Sequence, residues 1–245
     1  MSSRPIYFFS DAHLGAGNAE TEAIKIAKIA ALLDRAAKEH AKCFVLGDLF
    51  DFWFEFHRKI PRGYDEILKI LHNATERGVE LHLIGGNHDW WAGDRFAEAT
   101  GCEVHHRPFR GTLGGFRVYA GHGDGLAPSD WGYRNLLRPI LRNRVNISLF
   151  RCLPRFAGQL LANIVSDGSR IYTKRRNLKL EAEYLDAARK IAASGIDLVI
   201  IGHTHEPARI VDLGDAKYVN IGDFFEQFSF ARIADGEIFL STNQD

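Results

Sequence analysis

Apolar residues along the chain alternate between two kinds of pattern. Six short runs, several rich in β-branched and aromatic residues, read as strands: "IYFFS" (6–10), "CFVL" (43–46), "LHLI" (81–84), "FRVYA" (116–120), "DLVII" (197–201) and "YVNI" (218–221). Between the first three, apolar residues recur at helical spacing. Ile24, Ala27, Ala31 and Leu32 predict one amphipathic helix, and Ile67, Ile70 and Leu71 a second. Alternating strand and helix predicts an α/β fold with a largely parallel sheet. The later runs, punctuated by "TLGGF" and "DLGDAK", add a second, partly antiparallel sheet.

Polar residues cluster where these runs end. Five of the six lead, mostly across a glycine, into "SDAHLG" (10–15), "GDLFD" (47–51), "GGNHD" (85–89), "GHGD" (121–124) and "GHTH" (202–205). Ligands of open α/β sheets bind beyond the carboxyl ends of strands, and glycine lets the backbone turn tightly and approach them. Together the clusters offer Asp11, His13, Asp48, Asn87, His122, His203 and His205. Imidazole, carboxylate and amide oxygen without thiolate suit Mn, Fe or Zn. Asp11-x-His13 and His203-x-His205 each place two donors on one side of an extended segment. Any one of these histidines alone is an ordinary loop residue, and Asp48 alone is a turn or helix cap. It is the five clusters together that point to a metal centre. His88 and Asp89 follow Asn87 directly, so His88 is a candidate acid and Asp89 a candidate to orient it. His40, His57, His72, His82, His105 and His106 fall outside the pattern, and "HH" at 105–106 reads as a loop or edge segment without partners. The aromatics of "DFWFEF" (51–56) and Trp90–Trp91 are either core or a pocket wall.

Charge alters the picture locally rather than globally. The 31 basic and 31 acidic side chains cancel, so no nucleic-acid partner is expected. Three widely spaced cysteines predict neither a disulfide framework nor a thiolate zinc site, and fit a reducing cytoplasm. No apolar run reaches membrane-spanning length and "MSSRPIYFF" has no long apolar leader, so a soluble or peripheral protein is expected. Between Asp130 and Lys179, however, eleven basic residues meet two acidic ones, a net +9 that leaves −9 for the rest. Apolar residues recur there at helical spacing (Leu136, Leu137, Ile140, Leu141, Leu149, Leu153, Phe156, Leu160, Ile164), and Pro139 and Pro154 break the pattern into short helices. Such a segment is either a membrane-surface element or a solvated helical lid, and its field favours a phosphate-bearing substrate. The expected division is a core of 1–129 and 195–245 around a helical cap insertion, 130–194.

D-x-H, G-D-x-x-D, G-N-H-D, G-H and G-H-x-H, in this order from residue 10 to about 223, resemble the calcineurin-like metallophosphoesterase superfamily. The resemblance implies a four-layer α/β/β/α sandwich and two divalent ions. Asp11, His13, Asp48 and His205 would hold one; Asp48, Asn87, His122 and His203 the other, with Asp48 bridging. "HGDGLAPSDWGYRNLLRPILR" (122–142), the basic insertion and "GHTHEP" further resemble the UDP-2,3-diacylglucosamine diphosphatase family of lipid A biosynthesis. That family cleaves its substrate to UMP and a lipid monophosphate at the cytoplasmic face of the inner membrane, usually with Mn2+. By this resemblance Asn87, His88, His203 and Asp130 contact substrate, and Ser169, Thr173 and Arg176 are candidates for its headgroup. The best-known branch of that family carries Arg where this chain has His88. A histidine there is usual in general phosphodiesterases and phosphatases, so a broader metallophosphoesterase acting on a soluble phosphate ester is the alternative, and a metal-free scaffold a distant third.

Overall fold

The computed structural model describes residues 4–56, 59–152 and 177–242. Its first sheet has six strands in the order β11-β10-β1-β2-β3-β4. These are β1 (Ile6–Phe9), β2 (Lys42–Val45), β3 (Glu80–Ile84), β4 (Glu103–His105), β10 (Ser229–Ala234) and β11 (Glu237–Thr242). β1 to β4 are mutually parallel, while β10 and β11 close one side as an antiparallel hairpin. The second sheet has the order β5-β6-β7-β9-β8, from β5 (Phe109–Leu113), β6 (Phe116–Gly121), β7 (Leu198–Ile201), β8 (Arg209–Asp212) and β9 (Lys217–Asn220). Its middle strands β6, β7 and β9 are parallel, and β5 and β8 are hairpin partners at its edges. The turns at "TLGGF" and "DLGDAK" make those hairpins.

All four residues of β1 are buried, because the strand is covered on both faces. Ile6 and Phe8 face the second sheet with Phe44, Ile84, Val118, Ile200 and Val219. Tyr7 and Phe9 point the other way, to α1 (Ala19–Lys38), α2 (Asp65–Glu76) and α3 (Asp94–Thr100). On the outer face of the second sheet, Tyr119, Val199, Ile201 and Tyr218 pack against Tyr184 and Ala188 of a long helix, Asn177–Ala192. The layers are therefore helices, sheet, sheet and helix, as the family resemblance implies.

α1 begins where it should: the Asn18 side chain accepts from Thr21 N, with Glu20 and Glu22 in the first turn and Arg35 and Lys38 in the last. Its buried face differs from the expected one. Ile24, Ala27 and Ala31 are exposed, and Ile29, Leu32, Leu33, Ala36 and Ala37 are buried together with Lys25. The Lys25 ammonium can be buried on this face because it donates to His13 O. In α2 the expected Ile67 and Leu71 are buried, joined by Leu68, and Ile70 is half-buried against the same core.

The segment expected to form an insertion opens with a turn at Pro128–Asp130, one turn of π-helix at Tyr133–Leu137, α4 (Arg138–Leu141) and α5 (Arg144–Arg151). Pro139 lies in the first turn of α4, where its missing N–H costs nothing. The long helix Asn177–Ala192, hereafter α6, lies within the 130–194 span and forms the fourth layer. Trp131, Leu136, Leu137, Ile140, Val145 and Leu149 are exposed. Among the described residues no helix is long and apolar enough to cross a membrane.

Candidate metal centre

The loops after β1, β2, β3, β6 and β7 meet at one end of the sandwich and are stitched by backbone hydrogen bonds. Asp11 N donates to Gly47 O (3.1 Å), His13 N to Asp48 O (3.0 Å) and Gly202 N to His122 O (3.1 Å). Glycine is required where the loops touch. At Gly86 a Cβ would collide with the Asp48 carboxylate. At Gly47, whose φ is +82°, it would lie 2.8 Å from His122 Nδ1. Asp11, His13, Asp48, His203 and His205 all have positive φ, between 43° and 67°. Non-glycine residues avoid that region, and such strain persists only where surrounding structure imposes it.

The seven candidate donors fall into two adjoining sets. Asp11, His13 and His205 form the first: His205 Nε2 is 3.1 Å from Asp11 Oδ1 and 3.3 Å from His13 Nε2. In the second, His122 Nε2 faces His203 Nδ1 at 2.9 Å, Asn87 Oδ1 at 3.0 Å and Asp48 Oδ2 at 3.3 Å. Asp48 Oδ2 also lies 3.9 Å from His13 Nε2, so this carboxylate stands between the two sets. Asp11 Oδ2 accepts from Ser10 Oγ and from His203 N.

Donor chemistry here fits divalent cations. The Nδ1–H of His122 donates to Leu46 O (2.9 Å), which turns Nε2 toward three other acceptor atoms. One proton on Nε2 serves one of them at a time; a cation serves all. The electrostatics say the same. Burial alone would lower His122, but Asp48 outweighs it and pushes the imidazole up to about 10. Burial would raise Asp11 and Asp48; His205 and His122 hold the first, and His122 and His88 the second, well below the usual carboxylate range. Burial wins at His13 and His203, which drop to about 4 and keep neutral, ligand-competent imidazoles.

His88 is buried beside this centre. Its Nδ1–H donates to Asp51 O (2.7 Å), and its Nε2 lies 3.9 Å from Asp48 Oδ2. Asp89 does not orient it. The Asp89 carboxylate accepts from Gly86 N and Leu49 N, both at 2.8 Å, tying the loop after β3 to the loop after β2. Burial, followed by the charge of Asp48, raises Asp89 to about 6. Asp130 is buried in the turn at the start of the insertion. Ser169, Thr173 and Arg176 lie outside the described residues, as does His57.

Several contributors escape sequence reasoning. Lys25 Nζ, buried in α1, donates to His13 O (2.7 Å) and pairs with Glu22, whose carboxylate accepts from Gly15 N and Gly17 N. Asp124 accepts from Tyr133 Oη (2.8 Å) and Arg142 (2.5 Å), fastening the insertion to the loop after His122. Only the aspartate in "GHGD" hinted at this. Of the tryptophan pair, Trp91 takes the core option and Trp90 pairs with a cation. Trp91 is buried and donates from Nε1 to Leu141 O (2.9 Å); Trp90 lies under the Arg142 guanidinium, 3.6 Å from its ring centre. His105, expected to have no partner, has two: His82 and Glu103.

A family model described as "Calcineurin-like phosphoesterase" matches residues 4–207. Among curated proteins, the UDP-2,3-diacylglucosamine hydrolase of Azotobacter vinelandii is 33% identical and the match covers 89% of this chain and 90% of that one. The protein of the same name from Pseudomonas entomophila is 32% identical (79% and 81% covered), and that from Porphyromonas gingivalis 28% (92% of each). Among solved structures, Yfce, a phosphoesterase from E. coli, is similar with a TM-score of 0.50 and 13% identity, over 98% of this chain and 94% of that one. At that identity the likeness concerns the fold.

Proposed function

The chain belongs to the calcineurin-like phosphoesterase family, and from that premise we propose that it hydrolyses the diphosphate of UDP-2,3-diacylglucosamine to UMP and 2,3-diacylglucosamine 1-phosphate. The observation that carries the reading is the similarity to UDP-2,3-diacylglucosamine hydrolases over about nine-tenths of both chains. The surface supports it. Beside the loops of the centre, exposed Trp131, Leu136, Leu137, Ile140, Val145 and Leu149 are interleaved with Arg134, Arg138, Arg144 and Arg151. Apolar area mixed with fixed positive charge suits acyl chains attached to an anionic headgroup, at the cytoplasmic face of the inner membrane.

Asp11, His13, Asp48 and His205 would hold one divalent ion and Asp48, Asn87, His122 and His203 the other. Mn2+ is our first choice, with Fe or Zn as alternatives. Bound there, the pair supplies Lewis acidity that activates water and neutralises phosphoryl charge. The chain's own groups do the rest. Asn87, His203 and His88 line the position of the scissile diphosphate. With Nδ1–H spent on Asp51 O, His88 turns Nε2 toward the centre, and in the doubly protonated ring this atom donates to a phosphoryl or leaving oxygen. Asp130, Ser169, Thr173 and Arg176 are assigned to the headgroup, and the cap insertion to the acyl chains.

An activity panel tests this: diacylated UDP-glucosamine, other UDP-sugars, a nucleotide monophosphate and a simple phosphodiester, each with Mn2+, Mg2+ and Zn2+. Turnover of the lipid substrate, dependent on detergent, is expected. Intact lipid beside a hydrolysed simple diester overturns it. That outcome would favour the second reading, a broad phosphodiesterase, to which an imidazole at position 88 is well suited because a poor leaving group needs a proton.

A further inference from the structure

A second cluster of metal-binding side chains lies away from the centre just described, on the strands rather than the loops. His82 of β3 is in register with Glu103 of β4, and Ile84 with His105. His82, Glu103 and His105 therefore share the face of the first sheet that looks toward the second, at its β4 edge. His82 Nδ1 is 3.1 Å from His105 Nε2 and 3.4 Å from Glu103 Oε2; His105 Nε2 is 3.7 Å from Glu103 Oε1. Around a four-coordinate ion with bonds of about 2.0–2.2 Å, donor atoms are separated by about 3.3–3.6 Å. The three side chains stand 3.1–3.7 Å apart, close to that spacing, with a different glutamate oxygen nearest each imidazole.

We propose that His82, Glu103 and His105 bind a divalent transition-metal ion of the zinc class, separate from the dinuclear centre, with water completing its coordination.

The surroundings hold the donors in place. The His82 ring stacks on Phe44, centroids 4.4 Å apart and planes within 15°, so Nδ1 is aimed toward the edge strand. Burial, then the neighbouring His105, lowers His82 below its ordinary range, so its ring nitrogen is available to a metal at neutral pH. Lys42, whose charge acts on His82, is committed to Glu80 (2.5 Å), as is Arg4 (2.9 Å). Two imidazoles and one carboxylate favour Zn2+, Ni2+ or Cu2+ over Mn2+ or Mg2+.

The ion has structural work to do. β4 is three residues long and forms the sheet edge, and Gly85 N, at the start of the loop that carries Asn87 and His88, donates to His105 O (2.9 Å). A metal spanning β3 and β4 clips that edge in place, and binding only the folded form stabilises it.

Zinc bound per chain after dialysis against micromolar Zn2+, counted in wild type and His105→Asn, tests the proposal. The difference cancels whatever the dinuclear centre binds. One ion fewer in the variant is expected, with Mn2+-dependent hydrolysis of bis(p-nitrophenyl) phosphate unchanged. Equal counts in a variant with native circular dichroism overturn it. If His105→Asn does not fold, Glu103→Gln decides, its side chain being two-thirds exposed. A fall of at least about tenfold in affinity for this last zinc supports the site; an unchanged affinity overturns it.

Discussion

The Nδ1–H of His88 donates to the backbone oxygen of Asp51 at 2.7 Å, and this one bond decides which ring nitrogen faces the centre. A carbonyl accepts only from N–H, so Nε2 is the atom turned toward Asp48. His88→Ala should keep the metal content of the wild type and lose about 10²–10⁴-fold in kcat. Elemental analysis beside steady-state kinetics checks both halves. A variant that loses its metal would show that residue 88 holds ions instead of working on substrate.

Asp48 stands between the two donor sets. Asp48→Ala should lose nearly all turnover and at least one ion per chain, because the remaining donors then lack their shared carboxylate. Titration with Mn2+ followed by electron paramagnetic resonance would reveal loss of the coupled pair. A coupled spectrum in that variant would exclude the bridging role.

Gly86→Ala isolates the need for close approach. The added methyl meets the Asp48 carboxylate and lies 2.7 Å from its backbone N, so the loop after β3 has to retreat. Metal affinity and kcat/KM should both fall at least about tenfold, while the melting temperature changes far less, since the contact belongs to the loops and not to the core.

Exposed apolar residues of the insertion should matter only to a lipid substrate. Each large apolar side chain moved from water into an apolar phase gains about 1.5–3 kcal/mol. Replacing Leu136, Ile140 and Leu149 together by Ser should raise KM for diacylated UDP-glucosamine by about tenfold or more. Hydrolysis of a small chromogenic diester should be unaffected, and a parallel loss of both would assign the insertion to folding.

With metals removed by chelator, His82 makes stability pH-dependent. Its folded-state value is lowered by burial and by His105, so the unfolded chain binds its proton first. Stability is therefore intact above the unfolded value of about 6.5 and declines as pH falls below it. His82→Gln should flatten the slope of urea midpoints between pH 7.5 and 5.5 relative to wild type. Equal slopes would remove His82 from the acid response.

The legible parts of the fold were those where one local signal sufficed. Six buried strands announced themselves by apolar runs, and five donor clusters by what followed them. β4 ("EVH") and β5 ("FRGTL") are edge strands with charged or glycine positions, so composition does not mark them. β10 ("SFARIA") carries residues equally at home in a helix, and pairing with β1 decides its state. In α1 two apolar stripes compete, Ile24–Ala27–Ala31 and Ile29–Leu33–Ala36–Ala37, and packing on the sheet selects the second together with Lys25, buried on His13 O. His105 gained its partners from strand register, which no local pattern encodes. The donor set was readable residue by residue; the shell behind it, the Asp51 carbonyl and the Asp124 and Lys25 side chains, was at most hinted at, because these groups act through contacts across the fold.

Left-handed backbone at Asp11, His13, Asp48, His203 and His205 has a consequence for how this chain would respond to selection. The fold itself carries the conformational penalty of all five, so the backbone, not side-chain rotamer choice alone, sets where the donors stand. The same five positions are where thermal endurance is most cheaply improved, since glycine or asparagine relaxes there. A population screened for heat tolerance alone would drift toward those residues, growing sturdier as it lost its catalyst.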